Sequence, residues 1–242
     1  MAELHDLPND VGLLPGPSKP LSICIFRESH NLTFAGTFIM PGRRNRPSLV
    51  NAPRERLTLE WTRMKRMFLD LGSLLIYKSF TKPWLKLRRR QVAPTAVALH
   101  QQMYTAFADA DVETLRKICG DGLLSKFRSG IHSRGRETLE WVLHKYTKAS
   151  RIVSHRAARL PVEGTAVQQA VVRIQSRQSL TRYGPDRKVV AGTGQEREIR
   201  EYVVLQKRLL QGKEGPWIVW GTTGETSFDD LMEEEARMRG GP

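Results

Sequence analysis

Cysteine is nearly missing from this sequence. There are two in 242 residues, Cys24 and Cys119, and neither has a CxxC neighbour or a metal-ligand spacing. That excludes a disulfide framework and fits a reducing compartment with two free thiols. Cys119 ends a helical pattern and reads as a small core residue. Long hydrophobic runs are missing too. No apolar stretch reaches the roughly 18–20 residues that a bilayer-spanning helix needs. The sequence has no Walker lysine, no zinc spacing and no Gly-x-Ser-x-Gly elbow. "AGTGQE", residues 191–196, contains GxG without the GxGxxG spacing or the strand-to-helix setting. It reads as a hairpin loop. No catalytic, cofactor-binding or metal-binding residue is assigned.

Negative charge is also scarce. Against 39 Lys and Arg there are 25 Asp and Glu, for a net charge of +14. The basic residues cluster, which favours an anionic partner: nucleic acid, an acidic membrane surface or an acidic protein. The first ten residues carry Glu3, Asp6 and Asp10. An Arg-rich transit peptide does not look like that, so targeting is expected elsewhere or the natural start differs.

Residues 1–53 read as an extended, basic arm. Prolines at 8, 15, 17, 20, 41, 47 and 53 leave little room for helix or sheet. Within the arm, residues 17–36 differ from their surroundings. Removing them joins "GLLPG" smoothly to "TFIMPGRRNRP", as an insertion or translated intron would.

Residues 54–90 read as a basic amphipathic helix and a linker. Leu57, Trp61, Met64, Phe68, Leu71 and Leu75 recur at three or four residues and mark one helical face. Arg54, Arg56, Arg63, Lys65 and Arg66 lie mostly off it. Such a helix can rest on a membrane or in a groove, or its stripe can pack on the domain behind it. "WLKLRRR" follows, with Arg88, Arg89 and Arg90 in a row beside Trp84. A run of this kind beside a basic helix suits phosphate.

Residues 91–225 read as one compact domain. A helix over 94–108 presents Val97, Met103, Tyr104 and Phe107, and Asp109 breaks it. Asp111 caps a helix carrying Val112, Leu115 and Ile118. Leu123, Leu124 and Phe127 form a third, and Gly130 to Gly135 a loop. "RETLEWVLHKYTKA" reads as a fourth helix with Leu139, Val142, Leu143 and Tyr146 inward. The period then changes. Residues 150–160, 166–183, 197–210 and 216–223 read as strands. In the third, Ile199, Val203, Leu205 and Leu209 share a side, and Glu198, Arg200, Gln206 and Arg208 the other. That suits an antiparallel sheet with one covered face. "QGKEG" makes a hairpin turn. Residues 226–242 are an acidic tail, helical or disordered. Helices followed by strands argue an α+β fold, with helices on one curved, four-stranded antiparallel sheet.

This order of elements carries a resemblance. "MYTAFADADVETLRKICGDGLLSKF", then a helix, then an Arg- and Val-rich strand, is similar to the C-terminal domain of the mitochondrial import-motor anchor. That domain belongs to the cone-shaped superfamily named after nuclear transport factor two. Within it, residues 54–225 look most like the family of the mitochondrial large-subunit ribosomal protein and the fungal inner-membrane ribosome receptor. The resemblance implies a non-enzymatic factor in the mitochondrial matrix, peripheral to the inner membrane. It would hold translation there while nascent proteins insert. Implied partners are mitochondrial rRNA, neighbouring large-subunit proteins, the anionic inner-membrane surface, insertase machinery and nascent chains. By this analogy Arg43, Arg44, Arg46, Arg88, Arg89 and Arg90 are candidates for rRNA or lipid phosphate. Trp61, Met64 and Phe68 are candidates for membrane or partner contact.

Two alternatives share the fold. One is an import or respiratory-assembly adaptor without ribosome contact. The other is a hydratase or isomerase of the cone fold, which needs an acid/base group inside the cone. His5, His30, His100, His132, His144 and His155 are the histidines available. His100 and Tyr104, four apart, share a helical face. A lone histidine on such elements more often fills a core or surface position than a catalytic one.

Overall fold

The structure, a computed structural model, describes residues 39–42, 45–79, 87–162 and 164–239. Cys24, Arg43, Arg44 and residues 17–36 lie outside them. Five helices and five strands follow in the order α1 (Pro53–Lys78), α2 (Arg89–Ala108), α3 (Val112–Ile118), α4 (Asp121–Ser133), β1 (Thr138–Arg159), β2 (Thr165–Tyr183), β3 (Arg197–Leu210), β4 (Lys213–Glu214), β5 (Ile218–Thr223) and α5 (Phe228–Arg239). The fold is α+β, as expected. β1, β2 and β3 are antiparallel neighbours, and β3 pairs on its other side with the two-residue β4 and with β5.

One element differs in kind. The helix expected over "RETLEWVLHKYTKA" is the first half of β1, a strand of 22 residues that runs on through the expected strand at 150–160. The reason lies in its exposed apolar residues and its irregular pairing. Leu139, Trp141 and Leu143 alternate as a strand should. Register shifts against β2 then fall between Leu143 and Lys145, between Tyr146 and Lys148, and twice more before Ser154. Val142 and Tyr146, expected inward, lie on the exposed side at 37% and 36%, and with Leu139 and Leu143 they imitate a helical spacing, while the bulges reset the alternation beyond Leu143. The same bulges bend and twist the strand, which curves the sheet.

Smaller differences have local causes. α2 begins at Arg89, not near Pro94. Pro94 lies inside the helix, past its first turn, where it leaves the Arg90 carbonyl without its helical donor and crowds it with the ring. Gly130 is helical, within α4. A Cβ there would come 3.3 Å from the Phe107 ring, so glycine lets α4 close on α2. Asp111 caps α3 as expected, its carboxylate accepting from the Thr114 N–H at 3.0 Å. The tail is helical. Ser227 and Asp230 cap α5 reciprocally: the Asp230 N–H donates to Ser227 Oγ at 3.0 Å and the Ser227 N–H to Asp230 Oδ2 at 2.9 Å.

The main core lies between the helices α2, α3 and α4 and one face of the sheet. Met103, Phe107, Leu115 and Phe127 meet Ala170, Val172, Ile174, Val203, Leu205 and Val219 there. The opposite face is covered as well, against the expectation of one covered face. Ile39 packs on Val171, Tyr202 and Val204. It is held by Thr226, whose Oγ accepts the Ile39 N–H at 3.0 Å. Leu59 of α1 and Leu231 of α5 close a further small cluster.

α1 lies along the outer side of β1, the terminal strand of the sheet. Asp70 accepts from the Ser154 hydroxyl at 2.7 Å and from the His155 N–H at 3.3 Å, and pairs with Arg156 at 3.0 Å. One turn on, Ser73 Oγ accepts the Ala157 N–H at 3.2 Å. Two backbone donors of the edge strand are thus satisfied by side chains of a helix. Near the end of α1, Tyr77 is buried against Ala166 and Leu209 and donates to Glu214 at 3.0 Å.

Candidate functional site

The residues of α1 that face the domain are Leu59, Thr62, Leu74 and Tyr77, with Asp70 and Ser73 between them. The apolar stripe seen in the sequence is on the other side. Leu57, Trp61, Met64, Phe68, Leu71 and Leu75 are all exposed, Trp61 by 70% and Phe68 by 62%. Met67, Leu69 and Ile76 widen the face. An apolar surface of this breadth is more than scattered exposure. Its period alternates four and three residues. Arg54, Arg63 and Lys65 are exposed on the same helix, and Arg63 leans on Glu60 at 3.3 Å.

The arginines expected at phosphate are distributed unevenly. Arg88, Arg89 and Arg90 are exposed at the start of α2. Arg88 has a left-handed backbone, φ 38°, which turns the chain into the helix. Arg46 is half-buried, and its Nε donates to the Pro41 carbonyl at 2.6 Å. Part of that guanidinium therefore holds the chain near α5 in place.

Inside the main core lies a polar network that the sequence did not reveal. Glu201 of β3 accepts from His100 Nε2 at 2.8 Å, from Gln178 at 3.0 Å and from the Tyr104 hydroxyl. Gln178 in turn accepts from Trp141 Nε1 at 2.5 Å, and Trp141 stacks on Tyr104 with centroids 5.3 Å apart. Burial opposes the charge of Glu201. The hydrogen bond and charge of His100, with the bonds from Tyr104 and Gln178, outweigh it and hold the carboxyl below its ordinary range. Glu201 occupies the row of Ile199, Val203 and Leu205, where a strand alternation demands an apolar residue. A carboxylate at that register is the signal of a buried partner, and His100 and Tyr104, four apart on α2, supply it.

This network resembles a general acid/base pair, but His100 is fully buried and packed between Tyr104 and Trp141. A substrate has no approach to it in this packing. The other histidines are placed as follows. His144 is on β1, bonded to Ser179 at 2.9 Å. His132 is exposed on α4, and His155 is buried on β1. His5 and His30 lie outside the described residues. Among the described residues no group of His, Cys, Asp and Glu could hold a metal ion, and no helix is long and apolar enough to cross a membrane. Cys119 is a buried thiol, pushed up to about 12 by burial. An open groove of about 590 Å³ runs beside β4, floored by Ile218 and Trp220.

Comparison with known proteins bears on the family. The family described as MBA1-like protein matches residues 38–238. The large ribosomal subunit protein mL45 of Xenopus tropicalis is 30% identical over 88 residues, which are 36% of this chain. The match spans 27% of that curated relative's length. Both similarities agree with the family expected from the order of elements.

Proposed function

Since the chain belongs to the MBA1-like protein family, we propose that it is a component of, or receptor for, the large subunit of the mitochondrial ribosome, and that it docks translation at the inner membrane. It works from the matrix side as a peripheral protein, without catalysis. α1 meets the membrane through Trp61, Met64 and Phe68. Arg88, Arg89 and Arg90, with Arg43, Arg44 and Arg46, meet rRNA or lipid phosphate. Neighbouring large-subunit proteins, insertase machinery and nascent chains are the further partners of such a role.

The observation that carries the reading is the outward apolar face of α1. A helix whose polar side chains satisfy its own domain, and whose Trp, Phe, Leu and Met residues face water, is built to be covered by something else. Its arginines suit an anionic surface, where each basic residue contributes about 1 kcal/mol. The relative named as a large ribosomal subunit protein supports the ribosomal half of the proposal.

The test is sedimentation of detergent-lysed mitochondria on sucrose gradients at low and high salt, probing for this chain. Co-migration with the large subunit through moderate salt is expected. Changing Arg88, Arg89 and Arg90 together to Glu should weaken that association and flatten its salt dependence. Sedimentation as free protein in every condition would replace the ribosomal role with that of an import or assembly adaptor.

A further inference from the structure

Between α1 and β1 lies a cavity of about 340 Å³, floored by residues 152–155. Three arginines line it: Arg63 and Arg66 from α1, and Arg89 from the start of α2. The carboxylate among its lining residues is Asp70, which is engaged by Arg156, by the Ser154 hydroxyl and by the His155 N–H. Glu60 pairs with Arg63 at 3.3 Å and the charge of Arg66 also bears on Asp70, so the positive balance rests on the excess of arginines over carboxylates, with Arg156 counted among them. On its floor His155 is 1% exposed, and neither ring nitrogen has a hydrogen-bond partner among the described residues. Neither nitrogen reaches the open space, and the ring lies beside Trp217 with centroids 6.1 Å apart, so the imidazole backs the cavity without supplying a donor.

The walls are of a second kind. Met67, Phe68 and Leu71 line the cavity and also belong to the exposed apolar face of α1. One opening thus joins a cationic pocket to an apolar surface. A volume of this size holds a headgroup and not a whole lipid. We propose that the cavity takes the phosphate diester of an anionic phospholipid, with Arg66 and Arg89 at the phosphate and the acyl chains leaving over Phe68 and Leu71. Guanidinium groups suit phosphate because they offer paired donors in one plane. An RNA backbone would bring the same phosphate, but it would leave Met67 and Leu71 in water. The assignment deepens the membrane-docking reading and rests on it.

The test separates the two. The full chain is titrated calorimetrically with dihexanoyl phosphatidylglycerol below its micelle concentration. One saturable site is expected, weakened about tenfold or more in R66Q/R89Q, the loss of one or two charge-assisted bonds. The remote pair R116Q/R128Q should titrate as the native chain does. R89Q alone, at an exposed helix start, serves should the double variant fail to fold. Inorganic phosphate should bind more weakly than the lipid. Equal titration of R66Q/R89Q and R116Q/R128Q, or no saturable site, overturns the proposal. So does displacement of the lipid by a single-stranded RNA oligonucleotide that binds more tightly. Flotation with phosphatidylglycerol-containing vesicles is read separately. A chain that titrates the short lipid but does not float loses the docking role and keeps the cavity. A chain that floats, but whose R66Q/R89Q variant titrates the short lipid as the native chain does, loses the cavity and keeps the docking role.

Discussion

Asp70 of α1 and Arg156 of β1 meet at 3.0 Å, and through that pair the helix is fixed to the edge of the sheet. Both side chains are largely buried, at 16% and 19% exposure. Asp70→Ala would leave the Ser154 hydroxyl and the His155 N–H without their acceptor. A loss of about 2 kcal/mol is expected in urea unfolding. Amide exchange in α1 should rise more than in β2, because the tether and not the core is cut.

Glu201 and its three donors behave differently. Glu201→Ala strands His100, Tyr104 and Gln178 in the core and should cost about 3–5 kcal/mol. Glu201→Gln keeps an acceptor and should cost less. The folded carboxyl titrates below its ordinary range, so the native state binds fewer protons than the unfolded chain around pH 4.5. Its contribution is present above that pH and is lost as pH falls through the folded value. Glu201→Gln should accordingly flatten the acid limb of the stability profile below about pH 4.5.

His155 acts in a higher window. Burial first, then the charges of Arg89 and Lys207, lower it from 6.5 to about 4. The unfolded chain takes up this proton before the native state does. Stability is whole above pH 6.5 and falls as the pH drops toward about 4. The full shift corresponds to at most about 3 kcal/mol. His155→Leu should remove this slope while leaving the one below pH 4.5, which chemical denaturation at stepped pH would resolve.

Gly120 precedes α4 with an ordinary backbone, φ −71°. Its N–H donates to the Val219 carbonyl at 2.8 Å. A Cβ there would stand 2.6 Å from the Trp220 ring. Gly120→Ala is expected to cost about 1–3 kcal/mol by overpacking. Pairing it with Trp220→Leu should restore part of the loss, read as a shift in melting temperature.

Trp61 and Phe68 should be separable from the fold. Changing both to Asp is expected to alter stability by no more than about 0.5 kcal/mol per site, since each side chain is mostly in water. Attachment to membranes, measured by carbonate or salt extraction, should fall. Loss of the fold together with attachment would mean that these residues pack on the domain instead.

Much of the architecture was legible because apolar spacing reports what an element buries. The helices of the core, the cap at Asp111, the break at Asp109, and the strands expected over 150–160, 166–183, 197–210 and 216–223 follow from it. The packing of α1 was not legible. An edge strand needs hydrogen-bond acceptors, so the domain-facing side of α1 carries Asp70 and Ser73 among its few apolar residues, and a buried Thr62 makes that side still less apolar. Hydropathy then marks the opposite side. The first half of β1 was hidden for a related reason: Val142 and Tyr146 are apolar on its exposed side, and the bulges after Leu143 break the two-residue period that would announce a strand. Of the interior network, His100 and Tyr104 could be paired from their spacing. Glu201 was hidden within a strand whose pattern otherwise looked regular.

The same edge contact has a consequence for how the protein fails. While α1 is seated, side chains of the helix occupy donors at positions 155 and 157 of β1. If α1 lifts, those donors become a template for any other extended chain, and the helix releases its buried side beside an already apolar one. Partial unfolding of α1 therefore produces a sticky species while the core is still folded. Variants weakened at Asp70 should be lost from cells by aggregation and proteolysis at a stability where core variants of equal cost survive.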